Sequence, residues 1–338
     1  MKKIAGIPVL LFALVCLVLS ALVSQDPITG KWKAEKRGDK IDIHMRIIQK
    51  REFGDWQCSR DFLASELEGF AWGKAADFRL VREAGILTFT GALSDESGSG
   101  RFAFHPDSEF VSFLAAKGFE DVRNKDLLML CLHDVTMRYI DDLFVLGYAD
   151  ISFSQILSFA IHGVSIDFIK GVQAAGYKDI SPSQLISFAI HGVSVDYIQE
   201  LDSLGHGDLS PSDLISFTIH NVTIDFVEAL ISLGYEKIDP SQLVSFRIHG
   251  VNPEFVRGID ALGYASLSPS QLVSFAIHGV TVDFVKGIHS LGYKDISPSQ
   301  LVSFRIHDVD KKYIERVNEE WGKKLTPQKI ISLKIHDF

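Results

Sequence analysis

Eight histidines recur at a constant spacing of 29 residues, and seven of them follow a serine by four positions. The histidines are His133, His162, His191, His220, His249, His278, His307 and His336. Side chains four residues apart meet on one helix face, so each Ser/His pair could combine a nucleophile with its general base. Histidine is also a common zinc ligand and titrates near neutral pH. The pattern therefore raises three kinds of chemistry: hydrolysis, metal binding and proton sensing.

Hydrolysis and shared metal binding both fit this repetition poorly. An enzyme needs one complete site, yet no acid or oxyanion loop distinguishes any one of the seven pairs. Histidines that share a zinc must approach it to about 2.0–2.1 Å, whereas copies on successive helical layers lie about 8–10 Å apart and point in the same direction. No HExxH, CxxC or phosphate-loop motif occurs in the chain. We predict a non-enzymatic protein without a catalytic residue, metal or cofactor.

Six of the eight histidines end a short segment that opens with a helix-start signal, a Ser, Thr or Asp followed by proline. These pairs are Ser181-Pro182, Ser210-Pro211, Asp239-Pro240, Ser268-Pro269, Ser297-Pro298 and Thr326-Pro327. The first residue caps a helix, and proline at the first helical position sacrifices no hydrogen bond. A polar residue three positions after the cap predicts a capping box at Gln184, Asp213, Gln242, Gln271 and Gln300. The pattern predicts a helix, named helix A, whose dipole favours the terminal histidine.

Helix A is predicted to bury an apolar arc. In the repeat that ends at His191, a helical projection places Leu185, Ile186, Phe188 and Ile190 on that arc and leaves Ser187 outside it. The phenylalanine recurs at Phe159, Phe188, Phe217, Phe246, Phe275 and Phe304. We expect these phenylalanines to form the core of the repeats.

A second capping residue stands three positions after the histidine and begins another helix, named helix B. These caps are Ser165, Ser194, Thr223, Asn252, Thr281 and Asp310. Helix B ends at a glycine, as in Leu233-Gly234-Tyr235, because glycine readily takes the left-handed conformation that closes helices. Each repeat is thus predicted to be two short helices. A fixed period of this length is typical of an αα-solenoid.

The predicted fold class is α+β, with an αα-solenoid of eight short two-helix repeats over residues 107–338. Residues 25–106 have a different pattern. Apolar and polar residues alternate from Ile41 to Ile47, and the sequence around Gly85 is typical of a hairpin turn. These patterns predict a small antiparallel β domain of five or six strands. This domain is too short for an eight-stranded ligand barrel, so we interpret it as an N-terminal cap on the solenoid. A hydrolase site in the β domain is the alternative, although no catalytic constellation occurs there.

Residues 1–24 contain two lysines followed by a nearly unbroken apolar run, residues 4–23. This composition predicts a signal peptide or, since about 20 apolar residues span a bilayer, an N-terminal membrane anchor. Both alternatives place the body of the protein outside the cytoplasm, in the periplasm or secreted. Removal of this segment changes the formal charge from −9 to −11, because it takes away two lysines and no acids. An acidic body without a basic stripe argues against nucleic acid and anionic lipid surfaces as partners.

Two cysteines, Cys58 and Cys131, remain after this segment. An oxidising compartment permits a disulfide between them. Two cysteines separated by 73 residues do not require one, so a pair of free buried thiols is the alternative.

Positions that differ between repeats are the candidates for recognition, because repetition builds the scaffold and variation builds specificity. Helix B leaves the fifth and eighth positions after its cap outside its apolar set. The partner-binding candidates at these positions are Lys170, Gln173, Gln199, Asp202, Glu228, Arg257, Asp260, Lys286 and His289, with Ile231 at the remaining one. Arg247, Arg305 and Lys334, two residues before a histidine, are predicted to add a local basic spot.

The repeat motif G-Y-x-x-[IL]-S-P-S-[QD]-L-[IV]-S-F-x-I-H-G-V is similar to short tandem repeats of bacterial envelope proteins. Some of those repeats follow membrane metallopeptidase domains of the β-lactam-sensor type. The peptidase part and its zinc motif are absent here, so the resemblance implies no catalytic residue. It implies a bacterial extracytoplasmic interaction or sensing module. We predict a scaffold that binds another protein; the alternative is an envelope sensor that binds metal or protons through the repeated histidines.

Overall fold

The computed structural model describes residues 27–48 and 56–336. The predicted signal peptide or anchor, residues 1–24, lies outside the described residues. The described chain is mixed: an antiparallel seven-stranded sheet is followed by 16 α-helices. It forms two compact parts, Met1–Ile161 and His162–Phe338, named the N-terminal and C-terminal parts below.

The sheet consists of two antiparallel meanders joined by the pairing of its first strand with its last. Its strands are β1 (Ile28–Arg37), β2 (Lys40–Ile47), β3 (Gln57–Leu63), β4 (Leu67–Glu68), β5 (Ala75–Arg82), β6 (Gly85–Leu93) and β7 (Ser97–Pro106). Their spatial order is β3-β2-β1-β7-β6-β5-β4, and every described pairing is antiparallel. The predicted alternation in β2 and the predicted β5–β6 hairpin are confirmed. The predicted number of five or six strands is too low, because the two-residue β4 carries no readable pattern.

One face of the sheet carries a dense aromatic core. Trp32 is 1% exposed, and its indole N–H lies 3.2 Å from the Thr90 carbonyl oxygen and 3.1 Å from that of Arg101. Phe78 and Phe89 stack with ring centroids 4.7 Å apart. A buried indole needs such acceptors, so Trp32 joins the two halves of the sheet by packing and by hydrogen bonding.

The N-terminal part continues into four helices, α1 (Ser108–Ala116), α2 (Asn124–Leu132), α3 (Met137–Val145) and α4 (Phe153–His162). Helix α2 packs on β6 and β7, and the Cys131 thiol lies 3.5 Å from the Gly85 carbonyl oxygen. Cys58 and Cys131 are both free, which matches the free-thiol alternative, although Cys58 is only half-buried. Burial raises the pKa of each thiol to about 12.

The C-terminal part contains only helices and turns in its described residues. The helices are α5 (Ile166–Ala174), α6 (Pro182–His191), α7 (Val195–Ser203), α8 (Pro211–Ile219), α9 (Ile224–Ile231), α10 (Pro240–His249), α11 (Pro253–Ile259), α12 (Pro269–His278), α13 (Val282–Ser290), α14 (Pro298–Ile306), α15 (Lys311–Glu320) and α16 (Pro327–Ile335). A short π-helical turn, Asp260–Tyr264, follows α11. Even-numbered helices are helices A, and each contacts the next helix A from α6 to α16. Helices B contact one another in the same succession from α5 to α13.

The predicted caps are confirmed at both ends of most repeats. Ser181 accepts a hydrogen bond from the Gln184 N–H, and the Gln184 side chain accepts one from the Ser181 N–H at 2.9 Å. Helix B begins with the same device, for example at Ser194. The predicted capping box at Gln242 is wrong. The Asp239 carboxylate instead accepts from the Ser241 hydroxyl at 2.6 Å and from the Ser241 N–H, one residue earlier, at 2.8 Å, and these two hydrogen bonds lower the pKa of Asp239.

The residue after the histidine of helix A adopts the left-handed conformation in every described turn. Four repeats use glycine there, such as Gly192 with φ 73°. Asp134, Asn221 and Asp308 take its place in the others, with φ of 50–56°. This conformation crowds a Cβ atom, and Asn and Asp tolerate it better than most residues.

Glycine at this position is expected to set the stability of each turn. A Cβ atom at Gly192 would meet no neighbour within 4 Å, so Gly192→Ala changes only the backbone preference and should lower the free energy of unfolding by about 1 kcal/mol. Asp308→Gly should act in the opposite direction. Urea denaturation followed by circular dichroism measures both; a shift of the two midpoints in the same direction would contradict this account.

Candidate functional site

The fifth position of helix B is exposed in the five repeats whose helices B are α5, α7, α9, α11 and α13. It is occupied by Lys170, Gln199, Glu228, Arg257 and Lys286. Arg257 Nη2 lies 3.5 Å from Glu254 Oε1. Lys286 Nζ lies 4.0 Å from Asp283 Oδ1. Exposed pairs of this kind contribute little to stability, so these side chains are accessible to a partner.

The eighth position of helix B is less accessible than predicted. Asp202 is exposed, whereas Gln173, Asp260 and His289 are half-buried. His289 Nε2 lies 3.2 Å from the hydroxyl of Tyr264 in the preceding repeat, and the two rings stack with centroids 5.8 Å apart. Burial lowers the pKa of His289, and the nearby Lys294 lowers it further. The eighth position thus contributes to contacts between repeats, and its role in partner binding stays a prediction.

The tyrosine after the helix-B glycine connects successive repeats, an arrangement named the tyrosine bridge. Its hydroxyl donates to the backbone carbonyl oxygen 32 residues later, just before the helix-A cap of the following repeat. The bridges described in the C-terminal part are Tyr177–Leu209 at 2.7 Å, Tyr235–Leu267 at 2.9 Å, Tyr264–Ile296 at 2.9 Å and Tyr293–Leu325 at 2.8 Å. Burial raises the pKa of Tyr264 to about 12, so this hydroxyl keeps its proton and remains a donor.

One repeat of the C-terminal part lacks this bridge, because His206 occupies the tyrosine position. The Nε2 atom of His206 is buried and finds no hydrogen-bond partner among the described residues. Burial lowers the pKa of His206. The residue 25 positions later, where other repeats place a polar side chain beside the tyrosine, is Ile231. The backbone N–H of His206 still donates to the Leu201 carbonyl oxygen at 2.9 Å, but the Nε2 atom forms no bridge to the following repeat among the described residues.

Arg247 and Arg305, predicted to form a basic spot, instead connect neighbouring repeats. Arg247 Nε donates to the His220 carbonyl oxygen at 3.3 Å, and its guanidinium lies 4.9 Å from the Phe226 ring centroid. Arg305 makes the same hydrogen bond to His278. A cation at the C-terminal end of the preceding helix A interacts favourably with the helix dipole.

The Ser/His pairs do not form hydrogen-bonded dyads where the serine hydroxyl is described. Ser187 Oγ donates to the Ser183 carbonyl oxygen at 3.0 Å, and Ser158 Oγ donates to that of Ser154 at 2.9 Å. The imidazole of His191 is exposed. Among the described residues, no three His, Cys, Asp or Glu side chains are grouped closely enough to hold a metal ion. The sensing alternative stays a hypothesis.

The isoleucine before each histidine is exposed, contrary to the predicted apolar arc. Ile190 is 53% exposed, whereas Leu185 and Phe188 are fully buried. The physical reason is angular: Ile190 stands two positions after Phe188 and so points about 200° away from it around the helix axis. The phenylalanine core itself is confirmed, because all six recurring phenylalanines of helix A are at most 1% exposed.

No protein-family model matches the chain, and no curated protein matches it significantly. Among the described residues, no single helix has the length and apolar composition needed to cross a membrane, although the bent pair α8 and α9 meets both criteria when the two are combined.

The tyrosine bridges and the exposed isoleucines escaped sequence reasoning for different reasons. The tyrosine period was visible, but the acceptor is a backbone carbonyl, which carries no side-chain signal. The isoleucine is apolar, so the sequence pattern places it on the buried face of helix A. Only the width of that face, which the sequence does not give, shows that the isoleucine lies outside it.

Restoration of the missing bridge should stabilise the protein. His206→Tyr places a hydroxyl where the other repeats donate to a backbone carbonyl oxygen and is expected to raise the free energy of unfolding by about 1 kcal/mol. Tyr264→Phe, the matched control, removes the hydroxyl that donates to Ile296 and should lower it by about 1–2 kcal/mol. Urea midpoints measure both; a destabilised His206→Tyr protein would contradict the bridge model.

The pH dependence of stability should report the two half-buried histidines, His206 and His289. The pKa of His206 and that of His289 are lowered in the folded protein, so below about pH 6.5 the unfolded chain binds more protons than the folded chain. The free energy of unfolding should therefore fall as the pH decreases from 6.5 to 5. The double variant His206→Tyr/His289→Asn should show a smaller fall in thermal or urea melts, and an equal fall would contradict the assignment.

Proposed function

We propose that this protein is a non-enzymatic, extracytoplasmic scaffold whose repeats stack as an αα-solenoid and bind another protein. Support for the stacking comes from the succession of contacts, in which helix A contacts the next helix A and helix B contacts the next helix B. Tyrosine bridges such as Tyr235–Leu267 and guanidinium contacts such as Arg247–His220 join consecutive repeats. A stack of this kind offers one continuous surface per helix layer.

The observation that carries the proposal is the exposure of the fifth position in helix B. Its residues differ in charge from repeat to repeat, in the order positive, neutral, negative, positive, positive, from Lys170 to Lys286. Stacked helices lie about 8–10 Å apart, so five such side chains would contact a partner along a length of roughly 40 Å. A partner with the complementary order of charges would bind in one register and not in others.

The proposed compartment rests on sequence. The lysines and apolar run in residues 1–24 favour export or N-terminal anchoring, and the resemblance to bacterial envelope repeats supports the same compartment. The acidic net charge and the absence of a basic stripe in the sequence favour a protein partner over nucleic acid.

Charge reversal at the fifth position tests the scaffold. Full-length protein immobilised as bait should retain a defined set of envelope proteins, and the triple variant Lys170→Glu/Arg257→Glu/Lys286→Glu should retain them about tenfold less, since like charges would oppose. Quantitative mass spectrometry of the retained proteins measures the change.

Lys237→Glu is the matched control, because Lys237 is an exposed turn residue outside the helix-B surface. It should leave retention unchanged. Equal retention by the triple variant and the wild type would overturn the proposed surface, provided that circular dichroism shows the variant folded.

A further inference from the structure

An exposed isoleucine recurs on helix A through the whole C-terminal part. We name this set the isoleucine ladder: Ile190, Ile219, Ile248, Ile277, Ile306 and Ile335, each 52–56% exposed. A half-buried isoleucine or valine stands four positions before each of them, on the same helix face. The isoleucine ladder and these half-buried residues together form a broader apolar strip, of which the ladder is the most exposed part.

Nothing local explains why this exposed position never varies. The fifth position of helix B is also exposed, and there the residue type changes in almost every repeat. Isoleucine is a weaker helix former than Ala, Lys or Glu, so helix stability does not favour it at the surface. An apolar side chain that repeats at half exposure is typical of a surface that is covered in an assembly.

The charges on helices A differ from those of the whole chain, whose net charge is −9. From α6 to α16 these helices carry four basic residues outside the histidines, Arg247, Arg305, Lys329 and Lys334. Their single acid, Asp213, accepts the hydrogen bonds of the Ser210 cap. On helices A, the apolar strip is therefore accompanied by no carboxylate other than that of Asp213, which already accepts hydrogen bonds from Ser210.

We propose that the isoleucine ladder pairs with the ladder of a second copy of this chain, in antiparallel orientation. The first argument is spacing. Isoleucines of the ladder on successive helices A are about 8–10 Å apart, whereas same-face residues of a β-strand are about 6.6–6.8 Å apart. An extended peptide would therefore lose register with the ladder after a few isoleucines. A second ladder has the same spacing by construction, and a two-fold axis closes the contact into a dimer.

The second argument is charge. Antiparallel pairing of six rungs places Ile248 opposite Ile277 at the centre. The residues before these isoleucines then meet as Arg247 with Ala276, Thr218 with Arg305, and Ala189 with Lys334. Each of these three basic residues faces a neutral one. Parallel pairing would instead place each basic residue opposite its own copy, which is unfavourable.

The third argument is area. Six half-exposed isoleucines offer on the order of 300–600 Å² of apolar surface, against about 800 Å² per partner in a standard interface. The half-buried Ile and Val residues of the strip and the adjoining histidines supply the remainder. Interfaces of this size form with dissociation constants from micromolar to picomolar.

The first experiment measures mass in solution. Full-length protein at roughly 50 μM should sediment with twice the mass of one chain. Ile248→Lys/Ile277→Lys should shift it to a monomer, with at least a tenfold weaker dimer. The control Ala174→Lys/Ala261→Lys adds the same charge at exposed positions outside the ladder and should remain dimeric. A monomeric wild type, or a lysine double variant that stays dimeric, overturns the proposal.

The second experiment tests orientation and does not depend on a destabilising substitution. Under mild oxidation, Ile248→Cys/Ile277→Cys should give a covalent dimer, because a disulfide requires Cα atoms within about 7 Å. Either single variant should not, because identical residues would be displaced by one rung. Efficient cross-linking of a single variant, or none of the double variant, overturns the antiparallel arrangement.

The dimer and the protein-binding function fail independently. Mass and cross-linking are measured on purified protein, without a partner from the envelope. The charge reversals at Lys170, Arg257 and Lys286 lie on helix B and should leave the dimer intact.

Discussion

The burial of each repeat against the next is the constraint on which the C-terminal part depends. Its helices are 7–10 residues long. Helices shorter than about 12–15 residues are marginal in water, so caps and propensity alone cannot hold them. Leu185 and Phe188 are fully buried. The two short helices of one repeat are too narrow to cover these side chains by themselves. Neighbouring repeats must complete that core, and the apolar positions repeat for this reason.

Polar contacts between repeats add direction to this packing. Apolar burial is not directional, whereas the hydroxyl of Tyr264 must meet the carbonyl oxygen of Ile296 at hydrogen-bonding distance. Each bridge therefore fixes the position of one turn relative to the next. Arg247 and Arg305 add a second fixed contact at two places. His206 interrupts the series of tyrosine bridges, and between the two repeats that it leaves unbridged the Arg247 contact with the His220 carbonyl oxygen is the polar connection that is described.

The two helix layers have opposite surface chemistry. In the C-terminal part, helix B presents residues that vary in charge, from Lys170 to Lys286, while helix A presents the same isoleucine in every repeat. Variation suits discrimination between partners, and invariance suits a partner with the same period. A protein with both surfaces can form a symmetric assembly through one layer and keep the other layer free for recognition.

The sequence by itself determined the local structure. Caps such as Ser181 and left-handed glycines such as Gly234 act within a few residues, so their pattern predicts where helices begin and end. The alternation in β2 predicted a strand for the same reason. Tertiary structure decided which face of each helix is covered: Ile190 and Phe188 are both apolar, and only the placement of neighbouring helices exposes one and buries the other. It also decided that Tyr264 finds a backbone acceptor 32 residues away, because a carbonyl oxygen is common to every residue and becomes a partner only through its position in space.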